Sequence, residues 1–173
     1  MSVSQSATHG DRPTRYLMRE RLFSIGDDFW IETEHGERAF KVDAKTLRIR
    51  DTIVLETVDG EEVFTIEKKL LSLGNQMQIE RDGKTVATVK KALFSPLHDR
   101  FSIDVEGAEP MEATGKILDY AYTIERSGHE VAEISRKWLT LRDSYGIEIP
   151  AGEDAALMLA VAVCIDHMTH DRD

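Results

Sequence analysis

The sequence predicts a mainly β fold in which a closed or nearly closed antiparallel barrel encloses one C-terminal helix. Three observations lead there. The first is a run of eleven apolar residues, Ala155 to Ile165, near the end of an otherwise polar chain. A helix apolar on every side must be surrounded by protein or lipid, and a run this short is a core helix rather than a bilayer span, which needs about 20 residues. The second is a repeated glycine hairpin, and the third is the strand-like alternation between the hairpins.

The glycines align as Gly36-Glu-Arg-Ala39-Phe-Lys-Val42, Gly60-Glu-Glu-Val63-Phe-Thr-Ile66, Gly83-Lys-Thr-Val86-Ala-Thr-Val89 and Gly128-His-Glu-Val131-Ala-Glu-Ile134. The shared pattern is Gly-x-x-[Ala/Val]-x-x-[Val/Ile]. The spacings are 24, 23 and 45 residues, and the long one leaves room for a degenerate copy at Glu106-Gly107. Five hairpins follow. Asp59, Asp82 and Ser127 precede their glycines as residues that suit the positive φ angles of tight turns.

Between hairpins, Leu47-Arg-Ile49-Arg50-Asp51-Thr52 returns as Leu139-Thr-Leu141-Arg142-Asp143-Ser144, with a weaker relative at Leu71 to Gln76. Such alternation puts apolar side chains on one face of a sheet, and a sheet with one wet face is antiparallel. Solenoids and propellers share the roughly 23-residue period but do not enclose a helix. A closed barrel does, and closure removes exposed edges. The helix is expected over about 153–169, with Glu153 and Asp154 in its first turn beside the positive end of the dipole. Its length of roughly 25 Å crosses a barrel.

Composition narrows the function. With 173 residues the chain makes one domain, and its net charge of −10 opposes indiscriminate binding to nucleic acid or anionic membrane. The single cysteine, Cys164, permits no internal disulfide and reads as inert core. Residues 1–14 are polar, carry no signal-peptide stretch and read as a disordered lead-in, so residues 15–173 form the barrel domain and the expected location is cytoplasmic.

Basic residues recur beyond the hairpins: Lys41 and Lys45, Lys68 and Lys69, Lys90 and Lys91, Arg136 and Lys137. On a repeating sheet they could line one rim and receive phosphate or a lipid headgroup; their ordinary role is to solubilise strand ends. His167 and His170 stand at i, i+3 on the helix end, two ligands where a metal needs more, and His98 and His129 read as loop residues. Asp27-Asp28, Glu61-Glu62 and Glu153-Asp154 read as solvated surface rather than an acid–base pair. Ser95 and Ser144 lack a glycine-flanked elbow, and no phosphate loop or Cys-x-x-Cys occurs. Arg50-Asp51 and Arg142-Asp143 read as turn pins holding strand register. Trp30 and Trp138 read as core or barrel-girdle residues.

The segment Arg15-Tyr-Leu-Met-Arg-Glu-Arg-Leu-Phe-Ser-Ile, the stretch Phe40-Lys-Val-Asp-Ala-Lys-Thr-Leu-Arg-Ile-Arg-Asp, Lys90-Lys91 before Ser95-Pro96, and the closing Ala160-Val-Ala-Val-Cys-Ile-Asp-His occur in an order that resembles the LURP-one-related family. That family lies within the Tubby C-terminal-like superfamily, with the phospholipid scramblases. The resemblance covers about Tyr16 to His170 and implies about twelve antiparallel strands around one hydrophobic C-terminal helix. Tubby-like relatives bind phosphoinositide headgroups and are linked to transcription. Scramblases carry a palmitoylated cysteine cluster, absent here, and an acidic calcium segment with no match here.

The expectation is a non-catalytic binding or scaffold protein of this class that takes a phosphorylated or anionic lipid ligand through Lys68, Lys69, Lys90, Lys91, Arg136 and Lys137. The alternative is a protein–protein interaction module with no small-molecule ligand. No catalytic residue, metal or cofactor is assigned, nucleic acid is not an expected partner, and no segment spans a membrane. Because the helix takes the lumen, binding is expected outside the barrel.

Overall fold

The computed structural model of the chain describes residues 12–19, 28–43, 52–69, 75–93, 98–116, 119, 121–136 and 144–170. Twelve strands are seen among them: β1 (Thr14–Arg19), β2 (Phe29–Thr33), β3 (Arg38–Asp43), β4 (Thr52–Thr57), β5 (Glu62–Lys68), β6 (Gln76–Arg81), β7 (Lys84–Lys91), β8 (Asp99–Val105), β9 (Met111–Lys116), β10 (Ala121–Arg126), β11 (His129–Ser135) and β12 (Ser144–Ile149). Each pairs with its chain neighbour, and β1 pairs with β12, so the antiparallel sheet closes into a barrel. One helix, α1 (Ala155–His170), follows β12.

Five hairpins and the β12–α1 turn gather at one end of the barrel, each with a glycine at positive φ. Asp82-Gly83 and Ser127-Gly128 have φ of 52° and 73°, and 51° and 78°, the paired positive values of a two-residue type I′ turn. The predicted degenerate copy is present as the β8–β9 hairpin around Gly107.

The glycine repeat acquires a physical meaning in the register. In β2–β3, β4–β5, β6–β7 and β10–β11 the pairing shifts by one residue after Ile31, Leu55, Ile79 and Ile124. The extra residue on the outgoing strand is Ala39, Val63, Val86 or Val131, the [Ala/Val] three places after each glycine. That is a β-bulge. It explains why the repeat steps by three rather than two: the bulge resets the phase, so that Val42, Ile66, Val89 and Ile134 point inward and are almost fully buried.

The core is the lumen. Inward residues such as Ile53, Leu55, Phe64, Ile79, Phe101 and Ile103 meet α1, whose residues from Met158 to Ile165 are at most 2% exposed. Cys164 lies among them as a free thiol, and burial pushes its pKa up, so it stays protonated. Beside the helix, Tyr122, Ile134, Tyr145, Ala162, Ile165 and Asp166 line a cavity of about 10 Å³, room for one water molecule.

The helix begins later than expected. Gly152 turns the chain at φ 89°, and Asp154 stands just before the helix, its Oδ1 accepting the Leu157 N–H at 3.0 Å. It is therefore an N-cap rather than a first-turn acid. Glu153 also lies outside, holding Arg126 through both carboxylate oxygens at 3.1 and 3.0 Å. The lead-in assigned to residues 1–14 lies outside the described residues up to position 11, while Thr14 already belongs to β1. The Leu47, Leu71 and Leu139 segments, Lys45, both Arg-Asp pairs, Asp27, Ser95 and Trp138 also lie outside them. Trp30 is on the outer wall, its ring 4.4 Å from the Arg38 guanidinium, and not in the core.

Candidate functional site

Strand direction divides the molecule into two ends. The six turns at the first end span residues 34–37, 58–61, 82–83, 106–110, 127–128 and 150–154; they hold nine carboxylates and no Lys or Arg. The six odd-numbered strands run to the opposite, far end, where α1 also finishes. There β1 ends on Arg19, β5 on Lys68, β7 on Lys91 and β9 on Lys116, and Arg136 follows β11; only β3 ends on an acid, Asp43. The strand termini beside these turns add Arg38, Arg81, Lys84 and Arg126, and the far end also holds Asp28, Asp43, Asp99 and Asp166, so neither end carries charge of one sign. At the helix start itself, the Asp154 carboxylate stands at the positive end of the dipole.

The predicted basic residues therefore reach one end of the barrel, but neighbours on a strand point to opposite faces. Lys68 stands opposite Met77 and Lys91 opposite Phe101, both fully buried, which places these two lysines in the inward register at the lumen rim. Lys91 is only 9% exposed, with its Nζ 5.6 Å from the Phe101 ring centre and 3.7 Å from Asp99. Lys69 and Lys90 face outward. Lys69 meets Glu67 at 3.2 Å and Glu80 at 4.0 Å, while Lys90 meets Asp104 at 3.0 Å. Arg136 is exposed beyond β11, and Lys137 lies outside the described residues. β5 and β7 are separated by β6, so Lys69 and Lys90 sit roughly 10 Å apart around the wall.

Lys41 belongs to a different cluster. On the outer wall of β3 it reaches Asp28 at 3.3 Å and Glu56 at 3.4 Å. Burial alone would lower its pKa, but the hydrogen bond and charge of Asp28, joined by Glu56, outweigh that and raise it. Asp28 is thus an ion-pair partner rather than free surface, as is Glu153; Glu61 and Glu62 are exposed, with Glu62 accepting a bond from Thr65.

At the far end of the helix His167 is buried, and so are Asp166 and Thr169. Thr169 donates to the Asp166 carbonyl at 2.8 Å, and Asn75 donates to the Met168 carbonyl, tying β6 to the helix end. His98 is exposed, and His129 opens β11 instead of sitting in the turn. One apolar side chain stands out here. Leu93, two residues past Lys91, is 75% exposed. It escaped the sequence reading because a lone leucine beyond a strand end has no periodicity to betray it.

A second missed signal is the dipeptide [Ile/Leu]-Glu that stands one residue before the end of the incoming strands, at Ile31-Glu32, Leu55-Glu56, Ile79-Glu80, Ile124-Glu125 and Ile147-Glu148. Its apolar member fills the lumen. Among its glutamates, Glu56 pairs with Lys41, Glu80 with Lys69, and Glu148 with Arg15 at 2.6 Å. Among the described residues no group of three or more His, Cys, Asp or Glu is placed to hold a metal ion, and no helix is long and apolar enough to cross a membrane.

Comparison with known proteins agrees with this architecture. The chain is 28% identical over 156 residues to YxjI of Bacillus subtilis (strain 168), described as uncharacterized, covering 90% of this chain and 93% of that protein. A solved structure of an Arabidopsis thaliana protein has the same fold with a TM-score of 0.70 at 18% identity, covering 93% of this chain and 94% of that one. The LURP-one-related pattern matches residues 14–166, and the chain belongs to the LURP-one-related family.

Proposed function

We propose that the protein is a non-catalytic binding or scaffold protein, Tubby-like in kind and working in the cytoplasm, that takes a phosphorylated or anionic lipid ligand from outside the barrel. Lys68, Lys69, Lys90, Lys91, Arg136 and Lys137 are the proposed contacts. The observation that carries the reading is the convergence of basic strand ends at one end of a barrel whose lumen is filled by its own helix. A filled lumen leaves the outer surface for recognition, in contrast to barrels that hold a ligand inside.

The energetics set its terms. Lys69 and Lys90 already face carboxylates. A surface pair of this kind is worth about 0–1 kcal/mol, and a lysine near an anionic bilayer gains about 1 kcal/mol. Exchange of one partner for the other is close to even, so affinity must come from several lysines acting together and must fall with salt.

The same ion pairs favour a second reading, a protein-interaction module whose wall charges are satisfied within the barrel. The test is titration of phosphatidylserine-containing vesicles and of inositol hexakisphosphate into the protein and into a variant with Lys68, Lys69, Lys90 and Lys91 changed to Glu. Salt-sensitive binding, weakened at least about tenfold in the variant, supports the first reading. Absence of binding in both proteins overturns it, and a salt-resistant protein partner indifferent to lipid supports the second.

A further inference from the structure

Between β12 and α1 the chain must leave the wall and enter the lumen within Pro150 to Asp154, a stretch in which Ala151, Gly152 and Asp154 are exposed. The turn holds itself weakly: the Glu153 N–H reaches the Pro150 carbonyl at 3.4 Å, longer than an ordinary backbone bond. The Glu153 side chain does more. Arg126, the last residue of β10, donates from Nη1 to both Glu153 carboxylate oxygens at 3.1 and 3.0 Å and sets Nη2 3.5 Å from Sδ of Met111, its partner on β9. Because β11 lies between β10 and β12, this pair reaches over the start of β11.

Two features give the pair leverage over the helix. The Arg126 and Glu153 side chains are 29% and 22% exposed, and charge-assisted hydrogen bonds shielded from water in this way are the strong ones. The next residue, Asp154, then holds the helix start, its Oδ1 accepting the Leu157 N–H and its carbonyl the Met158 N–H, both at 3.0 Å. Beyond that point burial changes. Ala155, Ala156 and Leu157 are partly buried against the core, while Met158 to Ile165 are at most 2% exposed.

We propose that Arg126 and Glu153 form a clasp that seats the start of α1, and that residues 150–157 open as a unit when it releases, while the deeper helix stays enclosed. Local opening takes the segments with the fewest buried apolar contacts, and this stretch is less buried than the helix that follows it. The clasp is independent of the ligand reading above. It keeps the turn end of the lumen closed, since lifting Leu157 bares the core against which it packs.

The experiment is native-state hydrogen exchange over a series of low denaturant concentrations, on the full chain, on Glu153→Gln, on Arg126→Met and on the double variant. In the unaltered chain the Leu157 and Met158 amides should be less protected than those of Val163 and Cys164, with a shallower dependence on denaturant, as a partial opening requires. Each single variant should speed exchange at Leu157 and Met158 about tenfold, the loss expected for a hydrogen bond between charged groups. The double variant should go no further than either single one. Equal protection and equal denaturant dependence at all four amides overturns the proposal, as does unchanged exchange in Glu153→Gln, or full additivity of the two changes. If Arg126→Met does not fold, Glu153→Gln and the unaltered chain still decide the first two outcomes.

Discussion

Gly115 lies within β9 and Gly128 in the β10–β11 turn, and replacing them by alanine has different consequences. A Cβ on Gly115 would run into the Ala121 carbonyl oxygen and come within 2.7 Å of the Tyr122 ring, across the β9–β10 pairing. Tyr122 cannot retreat, because its ring lies edge-on against Phe101 at 6.0 Å in the filled lumen. Gly128 has open space around it but sits at φ 78°. Gly115→Ala should therefore cost about 3 kcal/mol or more through overpacking, and Gly128→Ala about 1–2 kcal/mol through the left-handed backbone alone. Thermal melts of the two variants check this, with the Gly115 variant melting roughly 2–8 °C below the other or failing to fold. Equal melting temperatures would contradict it.

At the scale of elements, much of the barrel was legible because local chemistry and global closure agree. Asp82-Gly83 and Ser127-Gly128 announce their turns, and the eleven apolar residues from Ala155 announce the helix. The bulges were present in the same repeat as a step of three, but a step of three says nothing of pairing until the partner strand supplies Ile31, Leu55, Ile79 and Ile124. Asp154 caps the helix instead of standing in its first turn, a distinction the sequence does not make because an acid is preferred at both places. The lysine pairs were legible as strand ends but not as a stripe, since the alternation that turns Lys68 inward turns Lys69 outward.

Closure itself is uneven. Among the described residues, β1 pairs with β12 through six register positions from Thr14 to Arg19, but with β2 only at Tyr16↔Thr33 and Leu17↔Glu32, with one further bond from the Glu34 N–H to the Arg15 carbonyl. Local opening follows the fewest hydrogen bonds. Native-state hydrogen exchange should find the amides at the β1–β2 seam exchanging before those of β6–β7, which pair through six positions. Uniform protection around the barrel would show that the seam is no weaker than the wall.

For the whole molecule, one relation links stability to the proposed role. The helix fills the space that other barrels leave for ligands, and its dipole runs from the turn end, where Asp154 caps it, to the far end, where Lys68 and Lys91 stand at the lumen rim. Those charges favour the helix. The arrangement depends on the lumen being an apolar sheath. Val161, midway along α1, is fully buried, and an aspartate there would be an unpaired ion surrounded by hydrocarbon. The most direct measurement is the melting curve of Val161→Asp beside that of the unaltered chain. Enclosure predicts that the variant loses its cooperative transition, and a melt coinciding with that of the unaltered chain would contradict it.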